Sequence, residues 1–263
     1  MEHRRSIAHS FIGGGAIGSL GGLIGLGGAE FRLPLLISYY GFAAIHAVML
    51  NKVMSLVVVA SAILFRSDVV PFSELWGHNE IIFTLLAGSL IGAWLGADWV
   101  TKLANQMLYK LIAVLLVGMA ALLIWGHSFS GQVDWQLSFS ERLLFGIAAG
   151  FAIGVVASVM GVAGGELLIP TIMLLFGADI ILAGSLAMMV SLPTMLTGLA
   201  RYRKDTRFAV VVEQKRFALA MIFGSIAGAA LGGYLLSFVE TDMLLLMLAA
   251  LLLVSAYKVY RHD

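Results

Sequence analysis

Four charged side chains fall inside apolar stretches of this 263-residue chain: Glu30, Arg32, Lys52 and Glu166. A charge at the centre of a bilayer costs about 2.5–3.5 kcal/mol on insertion scales, and residues kept at that cost usually line a cavity or a pathway. Glu30 and Glu166 occupy matching places in two stretches of one shape, GLGGAEFRLP (25–34) and GVAGGELLIP (161–170). A carboxylate there has three readings: it caps the free N–H groups of a restarted helix, it binds a coupling proton or cation, or it faces an interface. Arg32 is expected to pair with a carboxylate or to reach the headgroups. Lys52 sits between Asn51 and Ser55 in LNKVMS (50–55). Amide, ammonium and hydroxyl together offer donors for an oxyanion; the plainer reading is a lysine snorkelling to the interface.

These residues need a frame, and composition sets its class. The chain is 60% hydrophobic and 12% charged, with mean hydropathy +0.98, net charge +1 and no cysteine. A soluble domain is about 25% charged. The expectation is an all-α polytopic membrane protein. The near-zero charge gives no case for nucleic acid, and without cysteine there is no disulfide, thiolate metal site or cysteine nucleophile. No catalytic serine, zincin or P-loop pattern appears, and no cofactor or metal site is expected. The arginines at 4 and 5 precede an apolar stretch that continues past any cleavage site, so an uncleaved first membrane segment is expected.

Apolar runs of spanning length lie at 43–65, 81–100, 108–125, 180–200, 217–239 and 243–257. Two further regions, 9–40 and 143–176, are glycine-rich and interrupted; each ends in a short piece after a proline, 33–40 and 169–176. Glycine breaks a helix, and the restarted helix presents unpaired N–H groups carrying about half a positive charge. The backbone at Gly28, Gly164 and Gly165 is therefore a candidate anion contact, and paired broken helices point to a transporter's central site. The spaced glycines 88, 92 and 96, like 224, 228 and 232, and the pairs 14/18 and 150/154, read as close helix packing. Pro193 is expected to kink its helix.

The chain repeats itself. Adding 136 to the residue number carries residues 14–55 onto 150–191 without a gap, with 13 of 42 positions identical. Ser55 falls on Ser191, but Asn51 and Lys52 fall on Ala187 and Met188, so the cation is asymmetric in a symmetric frame. The expected organisation is a first transmembrane repeat (1–126), a polar linker (127–142) and a second repeat (143–263). Each repeat is a broken, re-entrant helical hairpin plus three transmembrane helices, which inverts one half against the other. The rival arrangement, four crossings per half in parallel, puts Lys102 outside. Lysine and arginine bias places the 201–208 loop and both termini in the cytoplasm of a multi-pass inner-membrane protein.

In these residues the chain resembles the TauE/SafE family of sulfite and organosulfonate exporters. The resemblance rests on the doubled glycine–proline motif, on Asn51–Lys52 after the first copy and on LAGSLAMMVSLPTMLTGLARYRK (182–204) after the second. It implies a transporter of small sulfur-containing anions, with Asn51 and Lys52 as preferred anion contacts. The first motif reads AEFR where the family usually has glycine and apolar residues. The expected partners are a small anion and the lipid bilayer, with room for a coupling proton or cation and for a homodimer. An anion channel of the same architecture is the alternative. A membrane-embedded enzyme with Glu30 and Glu166 as acid–base pair lacks a nucleophile, and a packing partner without transport of its own completes the set.

Overall fold

Backbone surrounded by lipid must satisfy its own hydrogen bonds, and helices do so within one segment. Among the described residues of the computed structural model, all regular elements are helices. The structure describes residues 6–24, 28–66, 70–128, 138–235 and 241–261. The glycines at 25 and 27, most of the polar linker, the arginines at 4 and 5 and the glutamate at 240 lie outside them. The first half contributes α1 (Ile7–Ile24), α2 (Ala29–Ser38), α3 (Ala44–Arg66), α4 (Phe72–Gly77), α5 (Asn79–Lys102) and α6 (Asn105–Ser128). The second contributes α7 (Phe139–Met160), α8 (Gly165–Phe176), α9 (Ile180–Tyr202), a 3-10 turn (Thr206–Phe208), α10 (Ala209–Glu213), α11 (Lys215–Leu235) and α12 (Thr241–Tyr260). The spacing of 136 holds for the helix starts: 29 and 165, 44 and 180, 79 and 215, 105 and 241. The short α4 and the 201–213 turns were not legible in the sequence.

Among the described residues, α3, α5, α6, α7, α9 and α11 are long and apolar enough to cross a bilayer. The α7 helix differs from expectation. It runs unbroken for 22 residues, about 33 Å at 1.5 Å per residue. Its start is fixed by a capping box, in which the Ser138 hydroxyl accepts from the Glu141 amide and the Glu141 carboxylate accepts from the Ser138 amide. Asp179 caps α9 by accepting from the amides of Ile181 and Leu182.

Each interrupted region folds as a returning hairpin. The Tyr40 hydroxyl, past the end of α2, donates to the His9 carbonyl near the start of α1 at 2.8 Å. The ring of Phe176, ending α8, lies against Gly146 near the start of α7. The chain therefore leaves each hairpin beside the place where it entered.

The halves are interlaced. The most extensive helix contacts are α1 with α11 and α5 with α7. On α5, Gly88, Gly92 and Gly96 meet Ile147, Phe151 and Val155 of α7, while Gly150 and Gly154 meet Leu85 and Ser89 in return. The pairs advance in step, so the two helices run parallel, backbone on backbone. The α1–α11 seam repeats this, with Gly14 and Gly18 against Met221 and Ser225. The α9 helix runs parallel to α5, joined by Ser89–Thr194 at 2.7 Å and by Arg201 on Asp98. It runs against α3: Lys52 lies beside Gly198, while residues 58–62 share a cavity with 184–191.

At Gly92, a Cβ would overlap the Phe151 carbonyl. Gly92→Val is expected to destabilise the detergent-solubilised protein by about 1–3 kcal/mol, seen as a lowered Tm. Gly118 on α6 faces open space, so Gly118→Ala leaves the Tm unchanged or raises it.

Candidate functional site

The breaks are made by glycines in left-handed conformation. Gly161 closes α7 with φ 67°, and Gly164 (φ 84°) and Gly28 (φ 69°) precede α8 and α2. Both short helices start directly after the glycine, four residues earlier than the proline-bounded pieces read from sequence. Pro34 and Pro170 lie inside them, each four residues beyond a glutamate. Proline has no N–H, so the backbone carbonyls of Glu30 and Glu166 lose their usual helical donor. The repeated spacing thus places an underused carbonyl next to each carboxyl.

Asn51 and Lys52, from the middle of α3, close the wounds that the breaks leave. The Asn51 amide donates to the Ala29 carbonyl at 3.0 Å and to the Met160 carbonyl at 3.1 Å, joining the first break to the second. The Lys52 ammonium donates to the carbonyls of Ala157 (3.0 Å) and Val162 (3.1 Å) at the C-terminal end of α7, where the helix dipole favours a cation. Both residues are fully buried, which rules out snorkelling for Lys52. Four carbonyls thus take both amide protons of Asn51 and two of the three ammonium protons of Lys52.

Arg32 is fully buried in α2, away from headgroups. Among the described residues it makes no salt bridge, though the Glu30 carboxyl acts on it electrostatically. One nitrogen, Nη2, donates to the Ser55 hydroxyl at 3.3 Å, while Nε and Nη1 have no partner. One turn further along α3, Val58 and Val59 line a cavity of about 60 Å³. Ala163 and Gly165 from the second break, Ala187 and Met188 from α9, and the Ser191 hydroxyl complete its wall. Val162 accepts from Lys52 and the next residue, Ala163, faces the cavity, so the ammonium and the cavity flank one break. The counterpart of Arg32 in the second half is Leu168.

Glu30 and Glu166 are brought together. Their carboxyls lie close enough to act on each other electrostatically. Glu30 is buried, and no donor among the described residues reaches either of its oxygens or Oε2 of Glu166. Of the residues singled out in sequence, Ser55 meets Arg32, Ser191 and Gly165 line the cavity, and Gly28 and Gly164 set the helix starts.

A second tier of contacts was not foreseen. The Ser158 hydroxyl donates to the Ala93 carbonyl at 2.9 Å, and the buried Tyr202 hydroxyl donates to the Ser158 carbonyl at 2.7 Å. Ser89 lies on the glycine-lined face of α5, a position that hinted at contact with another helix; nothing in sequence marked Tyr202. At one end of the bundle, Asp98 binds both Lys102 and Arg201, and Arg207 donates to the Thr101 carbonyl. Lys102 therefore lies at the same end as the 201–208 loop. In that loop, the hydrogen bond from Arg207 holds the Asp205 carboxyl below its ordinary range.

A family model described as "Sulfite exporter TauE/SafE" matches residues 1–123 and 144–263. Two relatives, each described as "Probable membrane transporter protein", come from Xylella fastidiosa strains Temecula1 and 9a5c; each is 24% identical over 248 residues, covering 94% of this chain and 91% of the relative. No solved structure matches the chain.

The bridging role of Asn51 has a direct test. Asn51→Leu removes the side-chain donor from the carbonyls of Ala29 and Met160 and is expected to cost about 1–3 kcal/mol. Asn51→Asp keeps the shape but turns a carboxylate oxygen onto those carbonyls, so its Tm in detergent should fall at least as far. An unchanged Tm for both would show that the breaks hold without the bridge.

Proposed function

Because the chain belongs to the sulfite exporter TauE/SafE family, we propose that it is a secondary transporter exporting a small sulfur-containing oxyanion such as sulfite, thiosulfate or an organosulfonate. The observation that carries this reading is Arg32. A guanidinium stays charged under all physiological conditions and offers its donors in a planar fork suited to an oxyanion. Here it is buried, with Nε and Nη1 unsatisfied, one helical turn from a cavity bounded by the first turn of α8. A buried charge whose donors are only partly met is costly, and an anion offsets that cost. The cavity has space for a few water molecules or one small anion. Gly165 brings backbone amide to it and Ser191 a hydroxyl, while Lys52 adds positive charge behind the break. On this reading Asn51 and Lys52 serve the anion by fixing the geometry of the breaks, and Arg32 supplies the direct contact.

The opposed senses of α3 and α9, and the returning hairpins, support two inverted repeats with re-entrant hairpins. Alternating access then exposes the cavity to each side in turn. The basic residues of the 201–208 loop, together with Lys102, support a cytoplasmic position for that end, with both termini cytoplasmic in a cell membrane. A negative-inside potential assists export of a monovalent anion by about 2.3 kcal/mol per 100 mV.

Flux of labelled sulfite, thiosulfate and sulfoacetate into proteoliposomes tests the proposal. The expected outcome is saturable flux of at least one of them. Arg32→Lys loses the fork and should raise the anion Kd by about tenfold, near 1.4 kcal/mol, with Arg32→Met weaker still. Equal binding by wild type and Arg32→Met removes the assigned contact. Unitary currents in planar bilayers would assign the chain to a channel instead.

A further inference from the structure

We propose that the trough between α1 and α11 is a binding site for one anionic phospholipid, with its phosphate on Arg216 and an acyl chain laid along the glycine seam. The site stands apart from the transported anion and requires only that these helices lie in a bilayer. An open groove of about 1050 Å³ runs beside the seam at the start of both helices. Ile7, Phe11 and Ile12 line it from α1, and Arg216, Leu219 and Phe223 from α11. The five apolar side chains among these are exposed, so the groove faces outward from the bundle.

The order of groups along the groove is that of a lipid. The α11 helix starts directly after the 201–213 turns, so Arg216 in its first turn stands at the mouth of the groove. Leu219 and Phe223 follow on the same face. From Arg216 to Phe223 the helix rises about 10 Å, at 1.5 Å per residue. Half of a hydrocarbon core is about 15 Å thick, so the groove lies within one leaflet. Charge comes first, and below it the lining is apolar throughout.

Charge selects the headgroup. Arg216 and its neighbour Lys215 are exposed, and neither makes a hydrogen bond or ion pair among the described residues. A guanidinium with its fork free matches a phosphate. The internal repeat supplies a comparison within the chain. Subtracting 136 carries Arg216 onto Glu80 and Leu219 onto Phe83. The corner where α5 and α7 start has two acids, Glu80 and Glu141, against one base, Arg142. The corner where α1 and α11 start has two bases, Lys215 and Arg216, against the Glu213 that precedes them on α10. Apolar surface is common to both corners; the basic mouth belongs to one. Basic pockets between transmembrane helices hold anionic headgroups. Because both helices wall the groove, a lipid seated in it bridges the first hairpin to α11 and fastens their seam.

Native mass spectrometry of the delipidated full chain tests the site, with titration by phosphatidylglycerol or by phosphatidylcholine of the same chain length. The expected result is one phosphatidylglycerol retained more tightly than any phosphatidylcholine, together with a raised Tm in detergent. Arg216→Gln should weaken that lipid about fivefold, the worth of one basic residue beside anionic lipid, while Glu80→Gln leaves it unchanged. Phe223→Ser should weaken it as well, and glycerol phosphate, a headgroup without a chain, should gain no hold on the wild type. Arg216, Glu80 and Phe223 are all exposed, so these variants keep the packed interior. Equal retention of the two lipids, equal affinity in wild type and Arg216→Gln, or a dimer that covers this face and sheds the lipid overturns the proposal. None of these measurements involves anion flux, so failure here leaves the transport reading standing.

Discussion

Four backbone carbonyls, those of Ala29, Ala157, Met160 and Val162, are bonded by two adjacent side chains of α3, Asn51 and Lys52. Everything else in the centre of the protein depends on those bonds. A chain can interrupt its helices inside a bilayer only if the freed groups find partners within the protein. The interruption brings the first turns of α2 and α8 inward. Without Asn51 and Lys52 these side-chain bonds would be lost, and an acceptor left with no other donor would cost about 1–3 kcal/mol, while the Ala157 carbonyl would keep its bond from the Val162 amide.

The repeat supplies the shape, and departures from it supply the chemistry. Glycines with left-handed backbone recur at 28 and 164, and again at 41 and 177. The glutamates recur. Asn51, Lys52 and Arg32 do not recur; Ala187, Met188 and Leu168 stand in their places. The second-half counterparts of Asn51 and Lys52 therefore wall a cavity, where the first half has polar groups fastening the breaks. Positive charge enters from one half, and open space is left by the other.

Much of the frame was legible because each feature has a local physical cause. Five of the six long apolar runs, the repeat spacing and the glycine stripes follow from periodicity and residue size and lie where they were expected; among the described residues the run at 243–257 falls short of spanning length, and α7 takes its place. The starts of α2 and α8 were placed too late, because proline was read as a boundary; a proline six residues into a helix is tolerated where the carbonyl it strands has other uses. The partners of Lys52 and Arg32 were hidden. A lysine in an apolar helix reads the same whether it reaches lipid headgroups, an anion or a carbonyl more than 100 residues away, as at Ala157. Only the three-dimensional path of α7 decides among these, and Tyr202 was invisible for the same reason.

The glycine seams carry a consequence for how the protein is made. The α1 helix finds its closest neighbour in α11, which begins at Lys215, and α7 finds its own in α5, already synthesised. During translation the second hairpin can dock as it emerges. The first must wait, its glycine face lying against lipid, until nearly the whole chain has left the ribosome. Assembly is thus closed from the carboxyl-terminal end, and a chain truncated before α11 leaves the membrane with an orphaned first hairpin, a natural mark for quality-control proteolysis.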